Sequence, residues 1–261
     1  MILLAPILTI SLVVGFVTAG LKIQFDRFFA IILLVTILKL PATGAVNIFL
    51  WIVFLSAGYV LWKNREKIKK MPETNKKKFL TLVPLLAFIG VFLGASVFSV
   101  ASGKILTTTF GILALLYGLR LVFVRFSPKE MEYKNEKPIY QKICGFFGPV
   151  VSGFFAGFIG TTLKPLKIPF AVKIGRMNMG QVYLGNTITA FYSAFFAIIL
   201  HSLYVTPKFI MSVSDFLLGI TLWLGIHIVF ELTQIFFKDK WRKPFQIFIG
   251  FILIIVAFRF F

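Results

Sequence analysis

The 261-residue chain is 59% hydrophobic and contains 33 phenylalanines, and its mean hydropathy is +0.93. Several apolar runs are long enough to cross a bilayer, which predicts a polytopic helical membrane protein and excludes a soluble globular domain. The formal charge of +19 lies mostly in short loops, where it sets orientation and attracts anionic lipid headgroups, so it does not indicate a nucleic-acid partner. One cysteine, Cys144, and two histidines are too few for a disulfide, a haem or a thiolate metal site, so no cofactor is predicted.

The first half of the chain begins with a long apolar run that polar residues interrupt at 22–27. The apolar run after the interruption, residues 28–38, would form a helix of only about 16 Å. Because the hydrocarbon core is about 30 Å thick, we predict a re-entrant helical hairpin over residues 3–39, with 22–27 at its tip. Three predicted spans follow, at residues 45–62, 79–101 and 105–124.

The second half repeats this plan after a polar linker at residues 125–142. It has a second hairpin at 143–181 and spans at 182–204, 209–237 and 244–261. A shift of about 139 residues places Asn47 on Asn186 and Gly111 on Gly250, and a one-residue gap places Gly15 on Gly153. We therefore predict an all-α protein built from two repeats, residues 1–124 and 143–261.

The charges of equivalent loops indicate that the two repeats have opposite orientations. Loops 63–78 and 125–142 are strongly basic, which places both in the cytoplasm. In the second half the basic segment is instead the turn 238–243, and its counterpart 102–104 is nearly neutral. An inverted repeat needs an odd number of crossings per half. One re-entrant hairpin plus three spans meets this requirement, which gives six spans, two hairpins and both termini outside.

Two further patterns concern packing and orientation within the spans. Gly90 and Gly94 have the small-xxx-small spacing that is typical of close helix packing. Arg120 lies near the end of its span, one turn before Arg125, and is expected to extend toward the membrane surface.

The candidate binding site is formed by the tips of the two hairpins. In the second half, a glycine-spaced apolar run, 153–160, leads into two threonines, a lysine, a proline and a second lysine. A surface loop is the alternative for this stretch alone, but a second interruption at the equivalent place favours a transporter's binding site. The tips contribute Lys22, Gln24, Asp26 and Arg27 from one half and Thr161, Thr162, Lys164 and Lys167 from the other.

These side chains suit a small oxyanion. Cations and hydroxyls can form charge-assisted hydrogen bonds, and the helix that follows each tip points its N–H groups inward. Burying a cation in a membrane is costly, so idle lysines are not expected there. Asp26 either pairs with Arg27 or a tip lysine until the anion binds, or forms a fixed ion pair with Arg27.

Four more polar residues lie within predicted spans. Asn47 and Asn186 occupy equivalent positions, and their amides either contact the anion or form interhelical hydrogen bonds. His227 and Glu231 are spaced i, i+4 on one helix face and either carry a proton or form a structural pair.

The whole pattern resembles the TauE/SafE family, also called the sulfite exporter or toluene sulfonate uptake permease family. The resemblance covers nearly the whole chain and rests on its four-segment repeat and its length. The best local matches are Gly153-x-x-x-Gly157-x-x-Gly160 up to Pro165, then Gly185-Asn186-Thr187, and the segment 110–120. The family usually has further glycines after its third spaced glycine, whereas this chain has Thr161-Thr162 in one half and Ile23-Gln24 in the other.

The resemblance implies transport of sulfite, sulfonates such as sulfoacetate, or thiosulfate across the cytoplasmic membrane, with export as the expected direction. The site residues and inverted repeats favour a secondary transporter with alternating access. The alternatives are a channel-like anion permease and, outside transport, a membrane scaffold or an embedded enzyme. A shortage of nucleophile–base pairs argues against an enzyme. The oligomeric state stays open, with a homodimer as one alternative.

Overall fold

The computed structural model describes residues 4–21, 28–71, 73–124, 138–203 and 212–261. Within these ranges the chain forms helices and no strands. In chain order the helices are α1 (Leu4–Leu21), α2 (Phe29–Thr36), α3 (Ala42–Lys63), α4 (Arg65–Lys69), α5 (Glu73–Lys77), α6 (Val83–Val100), α7 (Gly103–Phe123), α8 (Pro138–Ile159), α9 (Lys164–Pro169), α10 (Met179–Leu203), α11 (Val213–Thr233) and α12 (Asp239–Ala257). A π-helical turn, Lys78–Leu82, leads into α6, and another, Phe170–Ile174, continues α9.

Eight helices in the described part of the chain are long and apolar enough to cross a membrane, which confirms the all-α, multi-pass prediction. This number exceeds the six predicted spans by two, and the first arm of each predicted hairpin accounts for the difference. Helix α1 has 18 residues and α8 has 22. The second arms are short, since α2 has 8 residues and α9 has 6. By length, the first arms can therefore cross the core and the second arms cannot.

The described helices divide between two compact units that each combine segments from both halves of the sequence. The first unit comprises Met1–Ile52, Ala101–Arg125 and Ser212–Phe261. The second unit comprises Val53–Val100 and Phe126–Met211. The division of the sequence into two repeats and a linker therefore does not coincide with the compact units.

In the second unit, α6 and α8 pack with their backbones in close contact. Gly90 and Gly94 of α6 face the backbone of Val150 and Phe154, and Gly153 of α8 faces the backbone of α6. A Cβ atom at any of these glycines would collide with a backbone atom of the other helix. The contacts advance in the same direction along both helices, so α6 and α8 are parallel. The small-residue spacing predicted from the sequence is thus a confirmed packing device.

Helices α9 and α10 also belong to the second unit. Helix α10 runs parallel to α6, because Phe88 packs on Phe196 and Phe98 packs on His201. Helix α9 turns back, so that Phe170 reaches Tyr140 near the beginning of α8. The segment 138–174 is therefore a helical hairpin whose second arm returns toward the end where the first arm begins.

The first unit contains two helix pairs. Helix α1 packs parallel to α11, with Gly15 against Ile226 and Val229. Helix α7 packs antiparallel to α12, with Gly118 against the backbone of Gly250.

The prediction that Arg120 extends toward the membrane surface is wrong. Arg120 lies on α7 and is only 5% exposed, so its guanidinium does not extend to a surface as predicted. The face that it shares with the fully buried Tyr117 is covered, and Tyr117 itself packs edge-on against Phe28. A side chain can extend toward water only from an uncovered helix face, and the sequence did not show that this face is covered.

Candidate functional site

The chain break between α8 and α9 has an unusual backbone. Gly160 has a φ of 76°, which glycine adopts without strain because it has no Cβ. Leu163 has a φ of 53°, which is uncommon for a residue with a side chain. Thr161 and Thr162 lie between them and are fully buried. The break is therefore an ordered turn that reverses the chain and keeps two hydroxyl side chains inside the protein.

Lys164, the first residue of α9, places its ammonium group against α10. Its Nζ donates to Thr187 Oγ1 at 3.4 Å and lies 5.7 Å from the centre of the Tyr183 ring. Thr187 is fully buried and lies eight residues after the beginning of α10, or about 12 Å along the helix. The ammonium group of Lys164 therefore lies beside α10, more than two turns from the beginning of that membrane-spanning helix.

Lys167 places its ammonium group against α8. Its Nζ donates to Ser152 Oγ, and Ser152, which is fully buried, lies within 3.5 Å of the Thr162 carbonyl oxygen. Ser152 lies seven residues before the end of α8, or about 10 Å along the helix. The two lysines thus meet hydroxyl groups on two different spans, on either side of α9.

The charge balance around this turn favours an anion. No aspartate or glutamate occurs anywhere between residues 138 and 203. Four cationic residues follow the turn: Lys164, Lys167, Lys173 and Arg176. Ammonium and hydroxyl groups are hydrogen-bond donors that suit the oxygens of a small oxyanion. The cluster of Ser152, Thr161, Thr162, Lys164, Lys167 and Thr187, which we call the lysine cluster, can therefore hold a small anion.

A histidine anchors the end of the first arm. His201 of α10 is only 2% exposed, and its Nε2 lies 2.7 Å from the Gly157 carbonyl oxygen. Its ring stacks on Phe98 at 4.2 Å, nearly parallel. The last carbonyls of a helix have no partner within the helix, so this side chain satisfies one of them. In the first unit, Arg242 donates in the same manner to the Ala19 carbonyl oxygen of α1 at 3.1 Å.

The predicted asparagines lie in different surroundings. Asn186 is half-buried and donates from Nδ2 to the Val182 carbonyl oxygen of its own helix at 2.9 Å. Asn47 lies on α3 and is only 2% exposed. The structure therefore places Asn186 one residue before Thr187 of the lysine cluster, with part of its amide engaged in the helix.

The candidates for proton coupling both lie on α11. His227 stacks on Trp223 in parallel at 5.7 Å, and Glu231 accepts a hydrogen bond from Gln234. Both side chains are half-buried. Their role in coupling stays a prediction.

Several predicted site residues cannot be located. Lys22, Gln24, Asp26 and Arg27 lie outside the described residues, so the contribution of the first hairpin stays a sequence prediction. Among the described residues, no group of three or more histidines, cysteines, aspartates or glutamates could hold a metal ion.

Three residues of this region were not selected as site residues in the sequence analysis: Ser152, Tyr183 and Thr187. Ser152 directly precedes Gly153, the first spaced glycine, and Thr187 directly follows the candidate site residue Asn186. Only the fold of the hairpin shows that they face the two lysines.

Comparison with known proteins agrees with this architecture. A family model described as Sulfite exporter TauE/SafE matches residues 27–260, which is nearly the whole chain. No curated protein and no solved structure matches the chain. The matched proteins are a family of membrane anion transporters, and the eight helices of spanning length agree with a multi-pass membrane protein. On the extent of this match, the chain belongs to the sulfite exporter TauE/SafE family.

Proposed function

We propose that this protein is a secondary transporter that exports small sulfur-containing anions across the cytoplasmic membrane by alternating access. The substrate class comprises sulfite, sulfonates such as sulfoacetate, and thiosulfate. Membership of the family supports an anion as the substrate and a membrane as the location of the protein. The lysine cluster supplies the site at which this chain would hold the anion.

The observation that carries the proposal is the pair of lysines on α9. Each ammonium group meets a buried hydroxyl on a helix of spanning length. A cation near the middle of a membrane costs at least about 2.5–3.5 kcal/mol, so lysines are retained there when they have a function. A sulfur oxyanion offers several acceptor oxygens to the lysines and hydroxyls together.

The first hairpin is proposed to complete the site. Lys22, Gln24 and Arg27 are the candidate anion contacts there, and Asp26 is their candidate counter-charge. This part of the proposal rests on the equivalence of the two interruptions in the sequence. Lys173 and Arg176, which follow α9, are proposed to gather anions or to set orientation.

The proposal is tested by anion binding to the purified protein. We expect Lys164→Gln to weaken binding of radiolabelled sulfite by about 10- to 150-fold, because a lost hydrogen bond to a charged group costs about 1.5–3 kcal/mol. Lys167→Gln should weaken binding to a similar extent. Lys104→Gln serves as the control, since Lys104 is exposed at the beginning of α7.

Two results would contradict the proposal. If folded Lys164→Gln and Lys167→Gln variants both bind sulfite as tightly as the parent, the site is not at the lysine cluster. If flux in liposomes does not saturate and shows no counterflow, the protein is a channel-like permease instead.

A further inference from the structure

A strongly cationic surface surrounds α4 in the second unit. From residue 63 to residue 78 the chain carries eight lysines or arginines and only two glutamates. Five of these cations are exposed on and beside α4, and we call them the basic surface: Lys63, Arg65, Lys67, Lys69 and Lys70. Glu66 lies 3.8 Å from Arg65 and 3.2 Å from Lys69, so one carboxylate is shared between two cations. The surface therefore keeps a large positive excess.

The opposite side of α4 is apolar and packs on the second unit. Ile68 and Met71 contact a buried cluster of Val83, Leu184 and Ile188. This contact fixes the helix with its cations directed away from the protein. A packed underside also means that the basic surface exists before any partner binds, so little ordering is needed.

Two exposed apolar residues flank the cationic stretch 63–78 in the sequence. Trp62 is 62% exposed, and the Arg65 guanidinium lies 5.2 Å from the centre of its ring. Leu80, two residues after Lys78, is 67% exposed on the turn that leads into α6. Tryptophan beside cations is typical of the membrane–water interface, and an exposed leucine is suited to lipid. A nucleic acid or an acidic soluble protein would match the cations but not these apolar neighbours.

We propose that the basic surface binds the headgroups of anionic phospholipids in the leaflet that it faces. The cations bind the phosphate groups, while Trp62 and Leu80 contact the acyl-chain region beside them. The proposal does not depend on the identity of the transported anion. It concerns a different part of the second unit from the lysine cluster.

The expected affinity change follows from the charges. A lysine or arginine near an anionic membrane surface contributes a factor of about five in binding. Neutralising four of the five cations should therefore weaken lipid binding by far more than tenfold. Screening by salt should weaken it further, because the groups are exposed.

The experiment titrates the detergent-solubilised protein with phosphatidylglycerol or phosphatidylcholine and counts bound lipids by native mass spectrometry. The test variant replaces Arg65, Lys67, Lys69 and Lys70 by glutamine. A control variant loses the same charge elsewhere, at four exposed cations that lie far apart in the sequence: Lys39, Lys104, Lys142 and Arg259. A second variant replaces Lys67, Lys69 and Lys70 by arginine, which keeps the charge and shows whether loss of binding reflects misfolding.

We expect the parent to retain phosphatidylglycerol and not phosphatidylcholine. The test variant should lose at least tenfold in phosphatidylglycerol affinity, while the control and arginine variants change less than threefold. Equal loss in the test and control variants would show that only net charge matters and would overturn the proposal. Retention of phosphatidylcholine as tightly as phosphatidylglycerol would overturn it too. Full displacement of the lipid by millimolar inorganic phosphate would identify the surface as a free-phosphate site instead.

Discussion

At the scale of single residues, Lys164 and Lys167 hold α9 between two spans. They are three residues apart and so share a helix face, yet one contacts Thr187 of α10 and the other contacts Ser152 of α8. A bound anion would compete with these hydroxyls for the lysine protons. Binding and release of the anion can therefore change how firmly the second arm of the hairpin is held.

Glu231 is the residue through which we expect any proton coupling to run. It is half-buried near the end of α11 and accepts a hydrogen bond from Gln234. Glu231→Gln keeps a hydrogen-bonding side chain but cannot exchange a proton. We expect this variant to lose uptake driven by a pH gradient and to keep counterflow exchange of the labelled anion in liposomes.

The control for this measurement is Glu73→Gln, because Glu73 is an exposed carboxylate on α5. It should leave both activities unchanged. Unaltered pH-driven uptake in Glu231→Gln would assign Glu231 and His227 a purely structural role.

At the scale of helices, the contact between α6 and α8 positions the lysine cluster. Gly90 and Gly94 from one helix and Gly153 and Gly157 from the other bring the two backbones together. Helix α8 carries Ser152 directly before Gly153, and the chain break follows directly after α8. A change in the separation of α6 and α8 would therefore shift one of the two hydroxyl partners of α9.

We expect Gly94→Ala to destabilise the protein. The new methyl group would collide with the backbone of Phe154, and overpacking of this kind costs about 1–3 kcal/mol. The measurement is the thermal unfolding midpoint in detergent, together with sulfite affinity.

Gly145→Ala is the matched control. Gly145 lies on α8, and a Cβ there would meet nothing within 4 Å. Alanine should stabilise this helix by about 0.5–1 kcal/mol. Equal unfolding midpoints for the two alanine variants would mean that the α6–α8 contact tolerates expansion.

The sequence predicted the helices, the break between α8 and α9 and the packing role of the spaced glycines, because each depends on local hydropathy or spacing. It did not predict which helix those glycines would meet. Gly153 faces Ala87, more than sixty residues earlier, and spacing alone carries no information about such a distant partner. The length of α8 was also underestimated. The predicted hairpin begins at residue 143, whereas the helix begins at Pro138, because its first turn is too polar to be recognised as part of a membrane helix.

The site could be predicted from the sequence in part. Charged and hydroxyl residues at a chain break are visible without a structure, which is why Thr161, Thr162, Lys164 and Lys167 were selected. Their partners lie 15 and 23 residues away, on spans whose register against α9 is set by packing. Arg120 was misjudged for the same reason, since only tertiary contacts decide which face of α7 is covered.

At the scale of the whole molecule, the two units contain equivalent contacts. Gly15 meets Ile226, and Gly153 meets Ala87. The repeat relation places Gly15 on Gly153, and residues 87 and 226 differ by the same 139 positions that relate the two halves. In each case the first arm of a hairpin packs on a span from the other half of the sequence. These matched contacts support an internal repeat, and the opposite orientation of its two copies stays a prediction.

The proposed inverted repeat predicts which side of the membrane each loop can be labelled from. In a Cys144→Ser background, a single cysteine at Asn75 should react with an impermeant thiol reagent only from the cytoplasmic side. A single cysteine at Thr206 should react only from outside, because the basic and neutral loops exchange places between the repeats. Right-side-out and inside-out vesicles provide the measurement. Labelling of both positions from the same side would rule out the inverted arrangement.

The exchange of segments between the two halves also governs the order in which the protein can be built. Helix α6 leaves the ribosome early, yet its partner α8 follows only after α7 and the linker have been synthesised. The second unit is complete once α10 has emerged, whereas the first unit must keep α1, α2, the first half of α3 and α7 available until α11 and α12 arrive. The glycine-lined face of α6 and the buried Arg120 face of α7 therefore spend part of biosynthesis without their final neighbours. Neither half of the sequence contains a complete unit, so assembly of this fold requires both halves in the same membrane.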